Sequence, residues 1–109
     1  MLRPGDVVLV DFAGATGVKR RPTVVVSTDT YHAHRPDIVV CLITSQLAAA
    51  SAPTDYLLQD CGAAGLHVPS AFRVYIGMTL ATGAQVIGHL SDRDWQQVQA
   101  RLRIALEVS

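Results

Sequence analysis

Two short stretches of this chain carry side chains that could act together on a phosphodiester. Lys19-Arg20-Arg21-Pro22 gathers three cations where a glycine-containing loop meets a valine-rich strand, and Thr44-Ser45-Gln46 follows the end of an apolar run. An arginine fork holds two phosphate oxygens and neutralises the charge that builds on a five-coordinate phosphorus, and a threonine hydroxyl can add one more hydrogen bond. If the strand after Arg21 and the strand ending at Thr44 are antiparallel neighbours, the start of one lies beside the end of the other. RNA supplies its own nucleophile in the 2′-hydroxyl, so such a pair needs no metal and no cofactor. The products would be a 2′,3′-cyclic phosphate and a 5′-hydroxyl. Arginine is a poor proton acceptor, which leaves His34 and His67 as candidate bases.

Other chemistries find less support. The sequence contains no glycine-rich phosphate loop with its lysine, no dinucleotide fingerprint, no GxSxG and no CxxC. His32 and His34 form an HxH pair that would share a face in a strand, but no third metal ligand stands nearby. Cys41 and Cys61 read as free thiols, because the N-terminus lacks a secretory signal and the chain can build a core without a staple. A cytoplasmic protein is expected. Nine basic residues balance nine acidic ones, so any polyanion site must come from a local cluster.

The elements that must position these residues are legible from patterning. The 109 residues, half of them hydrophobic and 17% charged with a mean hydropathy of +0.29, fit a single folded domain spanning 1–109. The longest apolar run, Ile38 to Ile43, is far short of the roughly 20 residues of a membrane span. Gly5–Phe12 and Pro22–Ser27 predict two strands of a hairpin around an exposed loop at 13–20, and Asp29–Pro36 reads as a connector in which Asp29 caps one helical turn. Ile38–Thr44, apolar at nearly every position, predicts a strand covered on both faces. Gln46–Pro53 is a loop or one helical turn, Thr54–Leu58 a weak strand, and Ser70–Leu80 a long strand with a bulge or kink at Gly77. Val86–Leu90 reads as one more short strand or a lead-in to the final element. Ser91 and Asp94 resemble a capping box, and Trp95, Val98, Leu102, Ala105 and Leu106 recur at helical spacing, which predicts an amphipathic helix over 92–107. The sum is a mainly β chain with a C-terminal α-helix, a small antiparallel barrel or curled sheet.

With these residues in view, the sequence resembles the MazF/PemK family of type II toxin–antitoxin toxins. The likeness runs through Gly5-Asp6-Val7-Val8-Leu9-Val10-Asp11-Phe12, Arg21-Pro22-Thr23-Val24-Val25-Val26, Ile43-Thr44-Ser45, Pro69-Ser70 and Ile87-Gly88-His89-Leu90-Ser91, in the family's order and over nearly the whole chain. The resemblance implies an SH3-like barrel, a homodimer, a metal-independent endoribonuclease acting on single-stranded RNA, and a cognate antitoxin whose disordered tail blocks the RNA groove. It marks Arg21 and Thr44 as the catalytic pair. Lys19, Arg20, Ser45, Gln46 and Arg73 are the expected RNA contacts, with strand-end capping the alternative reading for Ser45 and Gln46 and a rim position the alternative for Arg73. Tyr31 and Tyr75 could stack on bases or lie in the core. The chain departs from the family in lacking the Glu and paired glycines before Arg21, and in carrying Ile76-Gly77-Met78-Thr79 in place of Gln-Ile-Arg-Thr. Two alternatives stay open here: a toxin of this fold that poisons DNA gyrase, and an inactivated homologue that only binds antitoxin.

Overall fold

The computed structural model describes residues 1–14 and 17–107. Its strands are β1 (Asp6–Gly14), β2 (Gly17–Val25), β3 (Asp37–Thr44), β4 (Tyr56–Leu57), β5 (Ala71–Leu80) and β6 (Gln85–His89). They form one antiparallel sheet in the spatial order β4-β5-β3-β2-β1-β6, curled into a half-barrel. Helix α1 (Asp29–His34) connects β2 to β3, and α2 (Asp92–Leu106) closes the chain. No helix among the described residues is long and apolar enough to cross a membrane.

Alternation along each strand divides the apolar residues between two cores. Val7, Val24, Cys41, Ile43 and Phe72 face α2 and pack with Trp95, Val98 and Leu102, whereas Val8, Val10, Phe12, Val25, Ile38, Val40 and Leu42 fill the inside of the curl. β3 feeds both cores, as its apolar run predicts. Burial pushes the Cys41 thiol up to about 12, and Thr23, also buried, satisfies its hydroxyl by donating to the Val8 carbonyl at 3.2 Å.

A fully buried carboxylate ties α2 to the segment around β4. Asp94 accepts hydrogen bonds from the Tyr56 hydroxyl (2.7 Å) and from the backbone N–H groups of Gln59 (3.0 Å) and Asp60 (2.9 Å). Burial and the bond to Asp94 push the Tyr56 phenol up to about 12. Ser91 caps α2, its Oγ accepting from the Asp94 N–H at 3.4 Å and donating to the Asp60 carboxylate. Arg93 grips the same carboxylate through two 2.7 Å bonds, and these cationic donors, with Ser91, hold Asp60 down at about 2. The capping box is therefore one-sided. Aspartate is a methylene shorter than glutamate, and its carboxylate turns to the donors of the facing segment.

The structure redraws several boundaries. The loop expected at 13–20 is mostly strand, since β1 and β2 continue with Phe12 opposite Lys19 and Gly14 opposite Gly17; only Ala15 and Thr16 of that loop lie outside the described residues. Polar residues suit these strand ends because the hairpin projects into solvent. Thr28, not Asp29, caps α1, its Oγ1 accepting from the Tyr31 N–H at 3.3 Å. The weak strand expected at 54–58 contracts to Tyr56–Leu57, Leu47–Ala49 is a single 3-10 turn, and Gln85–His89 pairs with β1 as a full strand. The irregularity in β5 falls between the pairs Cys41–Ile76 and Ile43–Phe72, whereas Gly77 pairs regularly with Val40.

Asp94→Ala should destabilise the fold by about 3 kcal/mol in urea unfolding, since three donors lose their shared acceptor. Asp60 is a carboxyl depressed in the native state, so its contribution is complete above its ordinary pKa of 3.8 and disappears as the pH falls toward 2. Thermal melts should accordingly show Asp60→Asn less stable than the parent at pH 7 and converging on it near pH 2.

Candidate active site

At one end of the curl a cavity of about 430 Å³ opens between β1, β2, β3 and β5. Register explains which side chains reach it. β2 and β3 pair with Thr23 opposite Leu42, and continuing that register by two residues sets Arg21 level with Thr44 on the same face. Both residues line the cavity. Thr44 ends its strand with its Oγ1 accepting from the Gln46 N–H at 3.1 Å, which leaves the hydroxyl proton free to donate outward.

On the far side of β3, Thr44 pairs with Ala71, so Arg73, two residues along β5, comes to the same wall, and Tyr75 follows. Lys19 joins from β2 and Gln46 from the turn after β3. Among the described residues, three cations and no carboxylate line this cavity, a composition that favours an anion. Phe12 forms part of the wall and meets the Tyr75 ring edge-on, with centroids 5.5 Å apart and planes at 64°. Gly77 makes room for it, as a Cβ there would stand 2.7 Å from the Phe12 ring.

Thus Lys19, Arg21, Thr44, Gln46 and Arg73 converge, and Arg20 and Ser45 do not. Arg20 alternates to the other face of β2, where its guanidinium lies 3.5 Å from both the Asp11 carboxylate and the Gly83 carbonyl. Ser45 is exposed in the bend after β3, outside the cavity lining. The two candidate bases also lie elsewhere: His34 ends α1, and His67 lines a separate hollow beside Leu57 and Pro69. The HxH pair sits on a helix, where side chains two residues apart point in different directions, and His32 bonds the Ser27 hydroxyl at 2.6 Å. Tyr31 is likewise taken, donating to Asp37 at 2.7 Å under the Arg35 guanidinium.

Patterning alone did not single out Phe12 as a wall of the site or Asp55 as a neighbour of Arg73. The Phe12 contact depends on the curl of the sheet. The Asp55 carboxylate lies 3.6 Å from the Arg73 Nε, and the signal for that pair is the β4–β5 register: with Tyr56 opposite Phe72, Asp55 stands across from Arg73.

A family model described as PemK-like, MazF-like toxin of type II toxin–antitoxin systems matches residues 3–106. The chain belongs to this toxin family. Among solved structures, an endoribonuclease from a mycobacterial species, in complex with its cognate antitoxin, superposes with a TM-score of 0.81 at 16% identity, covering 100% of this chain and 98% of that one. MazF from Deinococcus radiodurans gives 0.75 at 22% identity over 98% and 97%, and the Mycobacterium tuberculosis toxin MazF-mt6 gives 0.77 at 15% over 95% and 98%. At such identities the likeness speaks for the fold. No curated protein matches the sequence. In this MazF-like toxin the departing residues Ile76–Thr79 do not themselves line the cavity: Ile76 is partly exposed in a hollow it shares with Leu102 and Leu106 of α2, Met78 is exposed, and Gly77 accommodates Phe12 behind the wall.

Gly77→Ala should therefore displace Phe12, lowering stability by about 2 kcal/mol as judged by denaturant unfolding.

Proposed function

We propose that this toxin is a metal-independent, sequence-selective endoribonuclease that cleaves single-stranded RNA in the cavity, with Arg21 and Thr44 as its catalytic pair. The observation that carries this reading is the placement of Arg21 level with the outward hydroxyl of Thr44 in a cavity lined, among the described residues, by cations and by no carboxylate. The Arg21 fork takes the non-bridging oxygens of the scissile phosphate, and Thr44 donates to one of them. The 2′-oxygen attacks phosphorus, the bond to the 5′-oxygen breaks, and the proton lost from the 2′-hydroxyl to water is balanced by one gained by the leaving 5′-oxygen. No histidine or carboxylate lines the cavity among the described residues, so this pair works by stabilising charge rather than by accepting a proton. Lys19 and Gln46 supply contacts to the RNA beside the scissile phosphate.

The cellular partner is a cognate antitoxin, a reading supported by the antitoxin-bound mycobacterial neighbour and by the MazE–MazF complex from Deinococcus radiodurans. Exposed apolar side chains along β5, at Ile76, Met78 and Leu80, suit the homodimer expected of the family. Action is in the cytoplasm, where the transcripts are.

Purified toxin incubated with total RNA and a chelator should cut transcripts at a recurring short sequence, revealed by mapping 5′ ends. Arg21→Ala and Thr44→Ala should each slow cleavage by roughly 100- to 1,000-fold with the melting curve preserved. Intact transcripts at toxin excess would end the nuclease reading, and broken DNA with intact RNA would transfer the toxin to the gyrase class.

A further inference from the structure

Two neighbouring side chains on one face of β5, Arg73 and Tyr75, enter the cavity beside the proposed catalytic pair, and each is braced from behind. The Asp55 carboxylate is only 5% exposed, and its Oδ2 accepts from the Ala52 N–H at 3.0 Å. Its Oδ1 faces the Arg73 Nε at 3.6 Å. A carboxylate this deep in the protein needs a cation, so Asp55 fixes the Nε side of the guanidinium and leaves the terminal nitrogens of a 35% exposed side chain to the cavity. That Nε is buried and makes no hydrogen bond of its own, so Asp55 steers the fork by charge without occupying it. Tyr75 is 44% exposed, and its ring packs at a steep angle against Phe12, a buried ring. An aromatic ring that is partly exposed beside a cationic cavity and held by a rigid support offers a nucleobase a stacking partner.

β3 separates β2 from β5, so the backbones that carry Arg21 and Arg73 lie roughly 10 Å apart, two sheet spacings. The two forks thus serve different anionic groups in one cavity. We propose that Arg73 and Tyr75 form a subsite for the nucleotide flanking the scissile phosphate, with the guanidinium on its phosphate and the phenol ring stacked on its unpaired base. Asp55 is the positioning residue of the guanidinium. The proposal rests on the nuclease reading for the identity of the strand, and it predicts binding behaviour that can be measured without cleavage.

The test is fluorescence anisotropy with two probes that cannot be cut: a mixed-sequence single-stranded 2′-O-methyl RNA, and an abasic phosphate–sugar oligomer of the same length. Arg73→Gln should weaken binding to both probes and reduce the slope of log affinity against log salt by about 0.7, the share of one phosphate contact on a single strand. Tyr75→Ala should weaken binding to the base-bearing probe about tenfold, leave the abasic probe within twofold, and leave the salt slope unchanged. Asp55→Asn should weaken RNA binding roughly three- to tenfold in the parent and by less than twofold in the Arg73→Gln background, because its effect passes through that arginine. Arg73→Lys, which keeps the charge and loses the fork, should retain the slope, and circular dichroism melts identify any variant that has simply unfolded. An unchanged slope in folded Arg73→Gln, equal losses on both probes in Tyr75→Ala, or an Asp55→Asn effect undiminished without Arg73 would overturn the subsite. A toxin that cuts RNA yet shows none of these dependences keeps its nuclease and loses the subsite; one that shows them all and cuts nothing keeps the subsite and loses the nuclease.

Discussion

The pairing of β2 with β3 is the constraint on which the site depends. β3 is buried on both faces, with Cys41 and Ile43 committed to the core under α2 and Val40 and Leu42 to the core within the curl. The facing residues Val24 and Val25 divide between the same two cores. A slip of one residue would exchange the two sets, and every side chain beyond them would change face. Arg21 and Thr44 lie just past the end of this paired segment, where the strands emerge from the cores. Hydrophobic packing that touches no substrate thus specifies, from both sides of the sheet, where a guanidinium and an alcohol stand.

Charge segregation does the rest. The chain carries no net charge, yet the cavity is cationic because carboxylates are held elsewhere. Asp11 pairs with Arg20, Asp37 with Arg35 and Tyr31, and Asp60 with Arg93. Asp6 receives His89 at 2.7 Å, and Asp94 is spent on the donors around β4. Asp55 stands against the Arg73 Nε and is not among the residues that line the cavity. Alternation on β2 completes the pattern, since adjacent arginines fall on opposite faces: Arg20 meets an acid while Arg21 faces the opening. Ionic neutrality overall and a concentrated positive lining are compatible because the fold, not the composition, sorts the pairs.

The same distinction separates what could be read from the chain before folding from what could not. The apolar run of β3, the helical spacing of Trp95, Val98 and Leu102, and the serine cap of α2 are local patterns, each enforced by chain geometry within a few residues, and the structure carries all three. The hairpin tip is not legible in this way, because polar residues in a projecting strand have the composition of a loop. His34 and His67 have the chemistry of a base, but their positions on α1 and in the loop before β5 keep them from the cavity.

Sequence by itself determined the main strands and the final helix, the two-sided burial of the central strand, the family, and the residue types available for phosphodiester chemistry. Only the tertiary structure decided that Arg21 and Thr44 share a wall while Arg20 does not, that Gly77 yields space to Phe12, and that Asp55 stands against Arg73. The physical reason is range. Periodicity and capping are settled between residues a turn or a pleat apart, whereas register and curl are settled by packing between strands distant along the chain, and a cavity exists only after both are in place.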